Sequence, residues 1–248
     1  MSGGRAAVHV WVGRVPEVPS PADLPLLDAR EARRVAAFQD PVAGARYAGA
    51  RAAIRRTVAA WLGVAAGDVV FGNDPCPGCG DERHGPPRLL HPVTEWRVGV
   101  SRSASWWMLA LSPGVPVGVD IEARGPHRVP AVVRRCLSPG ERAHVGDAPE
   151  GTRRDDALTR CWVRKEAVGK GWGVGIGTDL AAVDVQPGHV RAVVVRRTPR
   201  GNEPWEVFDL AVGPACLAAL ALPSECGLPV SVHHAPGARP PQDGRADE

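Results

Sequence analysis

Strict alternation opens the chain: in Val8-His9-Val10-Trp11-Val12 every second residue is a valine, the pattern of a strand with one buried face. After a Pro-rich connection from Pro16 to Pro25 the apolar period lengthens. Leu27, Val35 and Phe38 within residues 26–38, and Ala48, Ala52, Val58 and Leu62 within 43–62, predict two helices. Residues 72–92 are dense in Gly and Pro and are expected to form a loop. Residues 96–100 and 105–111 read as strands separated by a turn at Ser101-Arg102-Ser103-Ala104, and 115–121 as a third strand. Residues 129–136 read as helical, and Ser138-Pro139-Gly140-Glu141 has the Ser-x-x-Glu form of a helix start with Pro at the first helical position. A further helix covers about 155–170 and stops at Gly171. Beyond it, 181–185, 190–196, 205–212, 216–222 and 230–233 are strand-like, and the polar stretch 234–248 is expected to be disordered. Helical material leads into strands twice, which places the chain in the α+β class.

These periods also place side chains. In the strand at 115–121, Val117, Val119 and Ile121 share one face, so Gly118, Asp120 and Glu122 share the other, and two carboxylates stand side by side. On the helix at 155–170, Trp162, Glu166 and Lys170 fall on one face at i, i+4, i+8, with Lys165 beside them. Composition singles out the lysines. The chain has 30 Lys+Arg, yet lysine occurs only at 165 and 170, so a compact ammonium group is kept at two places while arginine serves elsewhere. Taken alone, Asp120 and Glu122 also fit a solvated strand end, and the lysines a solvated helix face.

Bulk properties narrow the partners. At 248 residues with 44% hydrophobic content, the chain can bury a sizeable core as one large domain or two modest ones. A net charge of +3 and a pI near 8.7 argue against nucleic acid as the main partner and suit an anionic small molecule or an acidic protein. The first residues carry no signal-peptide core, and the longest apolar run, around 215–222, is too short to span a bilayer, so a cytoplasmic protein without membrane contact is expected. Six thinly spread cysteines (76, 79, 136, 161, 216, 226) argue against a disulfide framework. Cys76, Cys79 and His84 offer three ligands for a structural zinc, but no fourth ligand and no second Cys-x-x-Cys is visible, so this segment is expected to be a metal-free loop. The glycines at 171, 173, 175 and 177 follow a helix end, whereas a phosphate cradle precedes a helix start, and the dinucleotide reading is set aside.

Gly118-Val119-Asp120-Ile121-Glu122, followed by Trp162-x-x-Lys165-Glu166-Ala167-x-x-x-Lys170, resembles the paired signatures of the 4′-phosphopantetheinyl transferases, specifically the longer surfactin-synthetase-activating (Sfp-like) type. The resemblance covers about residues 8–233. It implies a pseudo-dimer of two similar α+β halves with the cofactor site at their interface: residues 1–114 on the coenzyme A side, 115–233 carrying the metal and Lys-Glu motifs, and 234–248 as tail. The implied reaction moves 4′-phosphopantetheine from coenzyme A to a serine of an acyl or peptidyl carrier protein and releases adenosine 3′,5′-bisphosphate.

Carried over residue by residue, the resemblance gives Mg²⁺ to Asp120, Glu122 and Glu166, whose hard oxygens suit that ion. Glu166 becomes the base, and Lys165 and Lys170 carry phosphate charge. Arg46 matches the family's arginine for the 3′-phosphate, with Arg34 on the preceding helix as a second match, while Arg51, Arg55 and Arg56 fit a solvated basic face at least as well. His84-Gly85-Pro86-Pro87-Arg88 resembles the family's Gly-Lys-Pro segment, but Pro86 stands where the lysine would be and Arg88 is the substitute. Ser101-Arg102-Ser103 stands where the family usually has Ser-His-Ser, so Arg102 either takes over a phosphate contact or points into solvent from a turn. A monomer is expected, with Arg128, Arg134 and Arg135 as a docking surface for an acidic carrier. The competing reading is a catalytically impaired homologue that binds coenzyme A or a carrier without transfer.

Overall fold

A computed structural model describes residues 6–16, 20–124, 131–175, 179–199 and 201–235, with residues 131 and 132 described in backbone only. Arg128 and the tail from residue 236 onward lie outside them. Strand β1 (Val8–Arg14) is followed by helices α1 (Ala29–Ala36) and α2 (Pro41–Leu62), then by strands β2 (Val70–Asn73), β3 (Pro87–His91), β4 (Trp96–Ser103), β5 (Trp106–Pro113) and β6 (Gly118–Ala123). Helices α3 (Ala131–Arg135), α4 (Pro139–Asp147) and α5 (Thr152–Gly171) come next, and then β7 (Arg191–Thr198), β8 (Gly201–Asp209), β9 (Cys216–Pro223) and β10 (Val230–His234). The mixed α+β class read from the sequence is the one observed.

Local chemistry explains the helix boundaries. Asp28 and Ser138 each accept a hydrogen bond from the backbone three residues on, and Glu31 and Glu141 reach back to the cap amides, so α1 and α4 both begin with a capping box. Helix α2 begins with Pro41 after the Asp40 cap and ends at Gly63 in the left-handed conformation that glycine adopts without penalty.

Two four-stranded sheets are formed, in the orders β10-β1-β5-β4 and β6-β9-β8-β7, with β2 and β3 as a separate hairpin. In each four-stranded sheet the strand that precedes the helices pairs antiparallel with the last strand of a hairpin: β1 with β5, and β6 with β9. One inner core joins both sheets through Val8, Val10, Val12, Met108 and Ala110 on one side and Val119, Ile121, Ala218 and Leu220 on the other. The alternate residues of β5 and β9 face outward into helices. Trp107, Leu109 and Leu111 pack under Ile54 and Val58 of α2, and Ala219 and Ala221 pack under Val163, Ala167 and Val168 of α5. Each fully buried Val, Leu or Ile among them contributes about 1.5–3 kcal/mol.

Four expectations are corrected. Ser101, Arg102 and Ser103 are not a turn but the end of β4; the turn is Ala104-Ser105, where Ala104 takes a φ of 51° and Ser103 already pairs with Trp106. The loop expected at 72–92 contains the β2–β3 hairpin, whose Gly72 and Pro87 hid its extended character. Residues 181–185 form no strand: Leu180–Ala182 is a single 3-10 turn capped by Asp179, and the carbonyls of Val183 and Val185 are taken by side chains of α5, as described below. Strand β10 pairs parallel with β1, so His234, placed by the sequence in the tail, is part of the first sheet, and Ala235 donates to the carbonyl of Val12 at 2.8 Å.

The close approach of α5 to β6 rests on Gly118, where an added Cβ would lie 1.8 Å from the carbonyl oxygen of Ala167 and 2.4 Å from the nitrogen of Gly171. Both neighbours are backbone and cannot rotate away. Gly118→Ala is therefore expected to destabilise the protein by at least the roughly 1–3 kcal/mol of an overpacked core, read as a lower urea midpoint at unchanged slope. A midpoint equal to that of the parent would show that α5 does not bear on β6.

Candidate active site

The facing edges of the two sheets, β4 and β6, run side by side without a backbone ladder. Serine hydroxyls bridge them. Ser101 Oγ accepts from the backbone N–H of Ile121 (3.3 Å) and donates to Asp120 Oδ1 (2.7 Å), and two residues on, Ser103 Oγ accepts from Ala123 N–H (3.2 Å) and donates to Glu122. The strand period thus repeats one arrangement twice, fixing two carboxylates on one side of the seam.

Helix α5 brings in the rest. Trp162, Glu166 and Lys170 share a face and line the same cleft of about 440 Å³ as Asp120, Glu122, Ser101 and Arg102. Lys170 Nζ lies 2.6 Å from Asp120 Oδ1, 3.2 Å from Ser101 Oγ and 4.0 Å from Glu166. Burial raises the Glu166 carboxyl to about 7 against the pull of Lys170, with the negative charges of Asp120 and Glu122 adding to the rise. Burial likewise raises Glu122, opposed by its hydrogen bond from Ser103. Asp120 Oδ2 is buried with no hydrogen-bond partner among the described residues. Three crowded carboxylates, one with an orphaned oxygen, are a donor set suited to a hard divalent cation such as Mg²⁺. Their oxygens are not drawn within 4.8 Å of one another; among the described residues, Cys76, Cys79 and His84 are.

On the other side of the cleft lies cationic surface. Arg102 of β4 stacks over the Tyr47 ring at 5.0 Å, and Arg34 of α1 approaches the same ring at 5.5 Å. Packing of the Arg102 guanidinium and the like charges of Arg34 and Arg51 lower its pKa from the ordinary value, the signature of a site that would welcome an anion. Arg46 keeps a buried Nε without a partner among the described residues, but neither Arg46 nor Arg34 lines the cleft itself, and Arg88 pairs with Asp74 at 3.2 Å on the β2–β3 hairpin, away from the carboxylates. Arg51, Arg55 and Arg56 do not form a solvated basic face. Arg51 and Arg55 both bind Glu31, and Arg56 binds Asp23 at 2.7 Å, tying α2 to the segment before it.

Lys165 does not join Lys170. It is fully buried on the far side of α5, 2.8 Å from Glu141 Oε2, and donates to the carbonyls of Leu180 and Val183. Its neighbour Arg164, also fully buried, binds Asp209 and donates to the carbonyls of Val185, Gln186 and His189. Together they bind the carbonyls of Leu180, Val183, Val185, Gln186 and His189 without a sheet. Sequence reasoning missed Tyr47 and the bridging role of Ser103. The signal for Ser103 was available, since Ser-x-Ser on one strand matches Asp-x-Glu on the other at the same period.

Residues 116–219 match the model of a family described as the 4′-phosphopantetheinyl transferase superfamily. The match covers fewer than half of the 248 residues; it includes Asp120, Glu122, Glu166 and Lys170 and excludes all of β1 to β5. No curated protein matches the chain. No helix among the described residues is long and apolar enough to cross a membrane.

The two lysines should separate in a stability experiment. Lys165→Met leaves Glu141 buried and unpaired and is expected to cost about 3–5 kcal/mol in urea unfolding. Adding Glu141→Gln should recover part of that loss, because it removes the uncompensated charge. No recovery in the double variant would mean that Lys165 acts through its carbonyl contacts alone.

Proposed function

We propose that the chain is a 4′-phosphopantetheinyl transferase of the Sfp-like type, built as a pseudo-dimer whose two halves meet at the β4–β6 seam, with coenzyme A in the cleft there. One observation carries the reading: the Asp120, Glu122 and Glu166 carboxylates and the Lys170 ammonium converge at one end of a cleft whose opposite wall is cationic, inside the span that matches the transferase superfamily. Three strands follow the same order in both sheets, β1-β5-β4 and β6-β9-β8, which supports the pseudo-dimer.

Transfer to a carrier requires a serine hydroxyl oxygen to bond to the phosphorus next to the pantetheine arm. The bond from that phosphorus to the bridging oxygen breaks, adenosine 3′,5′-bisphosphate leaves with the electron pair, and the hydroxyl proton goes to a base. Glu166, on the cleft wall beside Lys170, is the residue assigned to that proton. Asp120, Glu122 and Glu166 would hold Mg²⁺, which when bound supplies positive charge to the pyrophosphate oxygens. Lys170 adds charge on the same side, whereas Lys165, paired with Glu141, has none to offer. Arg102 and Arg34 are assigned to phosphate at the other end of the cofactor, Arg102 in place of the family's histidine, with a fork that binds oxygens bidentately and stays charged. The acceptor is an acyl or peptidyl carrier; Arg134 and Arg135, exposed on α3, suit an acidic partner helix.

Incubation with coenzyme A, Mg²⁺ and apo-carriers, followed by intact mass, should show addition of the phosphopantetheine arm. Asp120→Asn should lower the rate at least about 100-fold while leaving a folded protein, as expected for loss of charge stabilisation. No added mass on any carrier, with coenzyme A still bound, would instead favour a binding protein without transfer.

The arginine assignment is tested by calorimetry. Arg102→Ala is expected to weaken coenzyme A by about 1.5–3 kcal/mol, as a lost charge-assisted hydrogen bond would. The loss should be larger for coenzyme A than for 3′-dephospho-coenzyme A if the contact is to the 3′-phosphate. Unchanged affinity for both would leave Arg102 a surface residue stacked on Tyr47.

A further inference from the structure

The loop between β2 and β3 gathers side chains that the transferase reading does not use. Cys76, Cys79 and His84 bring one ligand atom each to within 4.8 Å of one another, and Cys79 Sγ lies 3.1 Å from His84 Nε2. The cysteines are free thiols. Gly80 N–H closes the turn onto the Cys76 carbonyl at 2.7 Å, and Gly80 takes the left-handed conformation. A tight turn that brings both sulfurs to one side is how a Cys-x-x-Cys segment wraps a metal. Around it the loop is tied by backbone contacts rather than by apolar packing. Cys76 N–H donates to the Asp81 carbonyl, Asn73 reaches the Glu82 carbonyl, Arg30 reaches that of Arg83, and Gly85 passes so close to Asp74 that a Cβ there would lie 1.7 Å from its carbonyl oxygen.

We infer that Cys76, Cys79 and His84 bind a Zn²⁺, with a water molecule as fourth ligand. Two thiolates and an imidazole are soft and intermediate donors, which select zinc over the hard cation of the carboxylate site. Binding releases the two thiol protons and leaves the site neutral. All three ligands line a cavity of about 930 Å³, which leaves room for the water. The consequence is local: the clamped loop carries Pro77 and Pro86, which abut Gly173 just past α5 and, with Lys170, wall a second cleft of about 570 Å³. Zinc thus fixes one wall of the space next to the carboxylates, and this link to the cofactor rests on the transferase reading, whereas the metal site itself does not.

Metal content and proteolysis test the site without any activity assay. Full-length protein purified without chelator should contain about one zinc per chain, as expected for a single site, and Cys79→Ser and His84→Ala should each fall to background. Replacement by Co²⁺ should give a thiolate-to-metal charge-transfer band that Cys76→Ser removes. Arg83 is exposed within the loop, so trypsin cleavage after it should accelerate several-fold on chelation and slow again on adding zinc. Protein that takes up no zinc when offered the salt, a 76–79 disulfide found by thiol counting in freshly purified protein, or variants that retain full zinc would each overturn the proposal.

Discussion

Two sheet edges that do not hydrogen-bond to each other through their backbones lie against one another in this protein, and everything at the site follows from how that contact is made. An unpaired edge amide in a partly dry interface is costly. Ser101 and Ser103 supply the missing acceptors for Ile121 and Ala123, and each hydroxyl then has its proton left to give to the carboxylate beside it. A backbone ladder between β4 and β6 would have satisfied the same amides but left Asp120 and Glu122 free to rotate. The seam therefore orients the acids at the same time as it joins the sheets.

Helix α5 completes the site because it lies unusually close to β6. Gly118 is what permits that approach, since its missing side chain is the space in which the helix backbone sits. One face of the helix carries Trp162, Glu166 and Lys170 to the seam, and another buries Arg164 and Lys165. Burying two cations is expensive unless each is paired and its remaining donors are used. Glu141, Asp209 and a series of carbonyls from residues 180–190 meet that need, so a segment with a strand-like sequence is held irregular by side chains. Glu141 serves twice, as the capping-box residue of α4 and as the partner of Lys165, which couples the start of one helix to the middle of another.

Charge is segregated along the cleft. The acids are on β6 and α5, Arg51 and Arg102 line the cleft with Tyr47, and Arg34 of α1 approaches the same Tyr47 ring. Arg51 is committed to Glu31, while Arg34 and Arg102 face each other's charge across the aromatic ring.

Alternation and helical spacing were enough to determine the α+β class, the two main helices, and the faces on which Asp120, Glu122, Glu166 and Lys170 stand, because periodicity is a local property that burial on one side imposes directly. The capping boxes at Asp28 and Ser138 are equally local; Ser138 was legible as Ser-x-x-Glu before any coordinates. What the sequence could not decide is which neighbour each charge meets. Lys165 and Lys170 lie five residues apart, which turns them roughly 140° from each other around the helix. Only the position of α4 shows that the first of these directions leads to Glu141 and not to the cleft. The same holds for Cys76, Cys79 and His84, whose convergence depends on a turn closed by long-range backbone contacts. It holds too for residues 181–185, whose apolar pattern promised a strand until Arg164 and Lys165 claimed their carbonyls, since a strand needs a free neighbour to pair with and packing alone determines where one is.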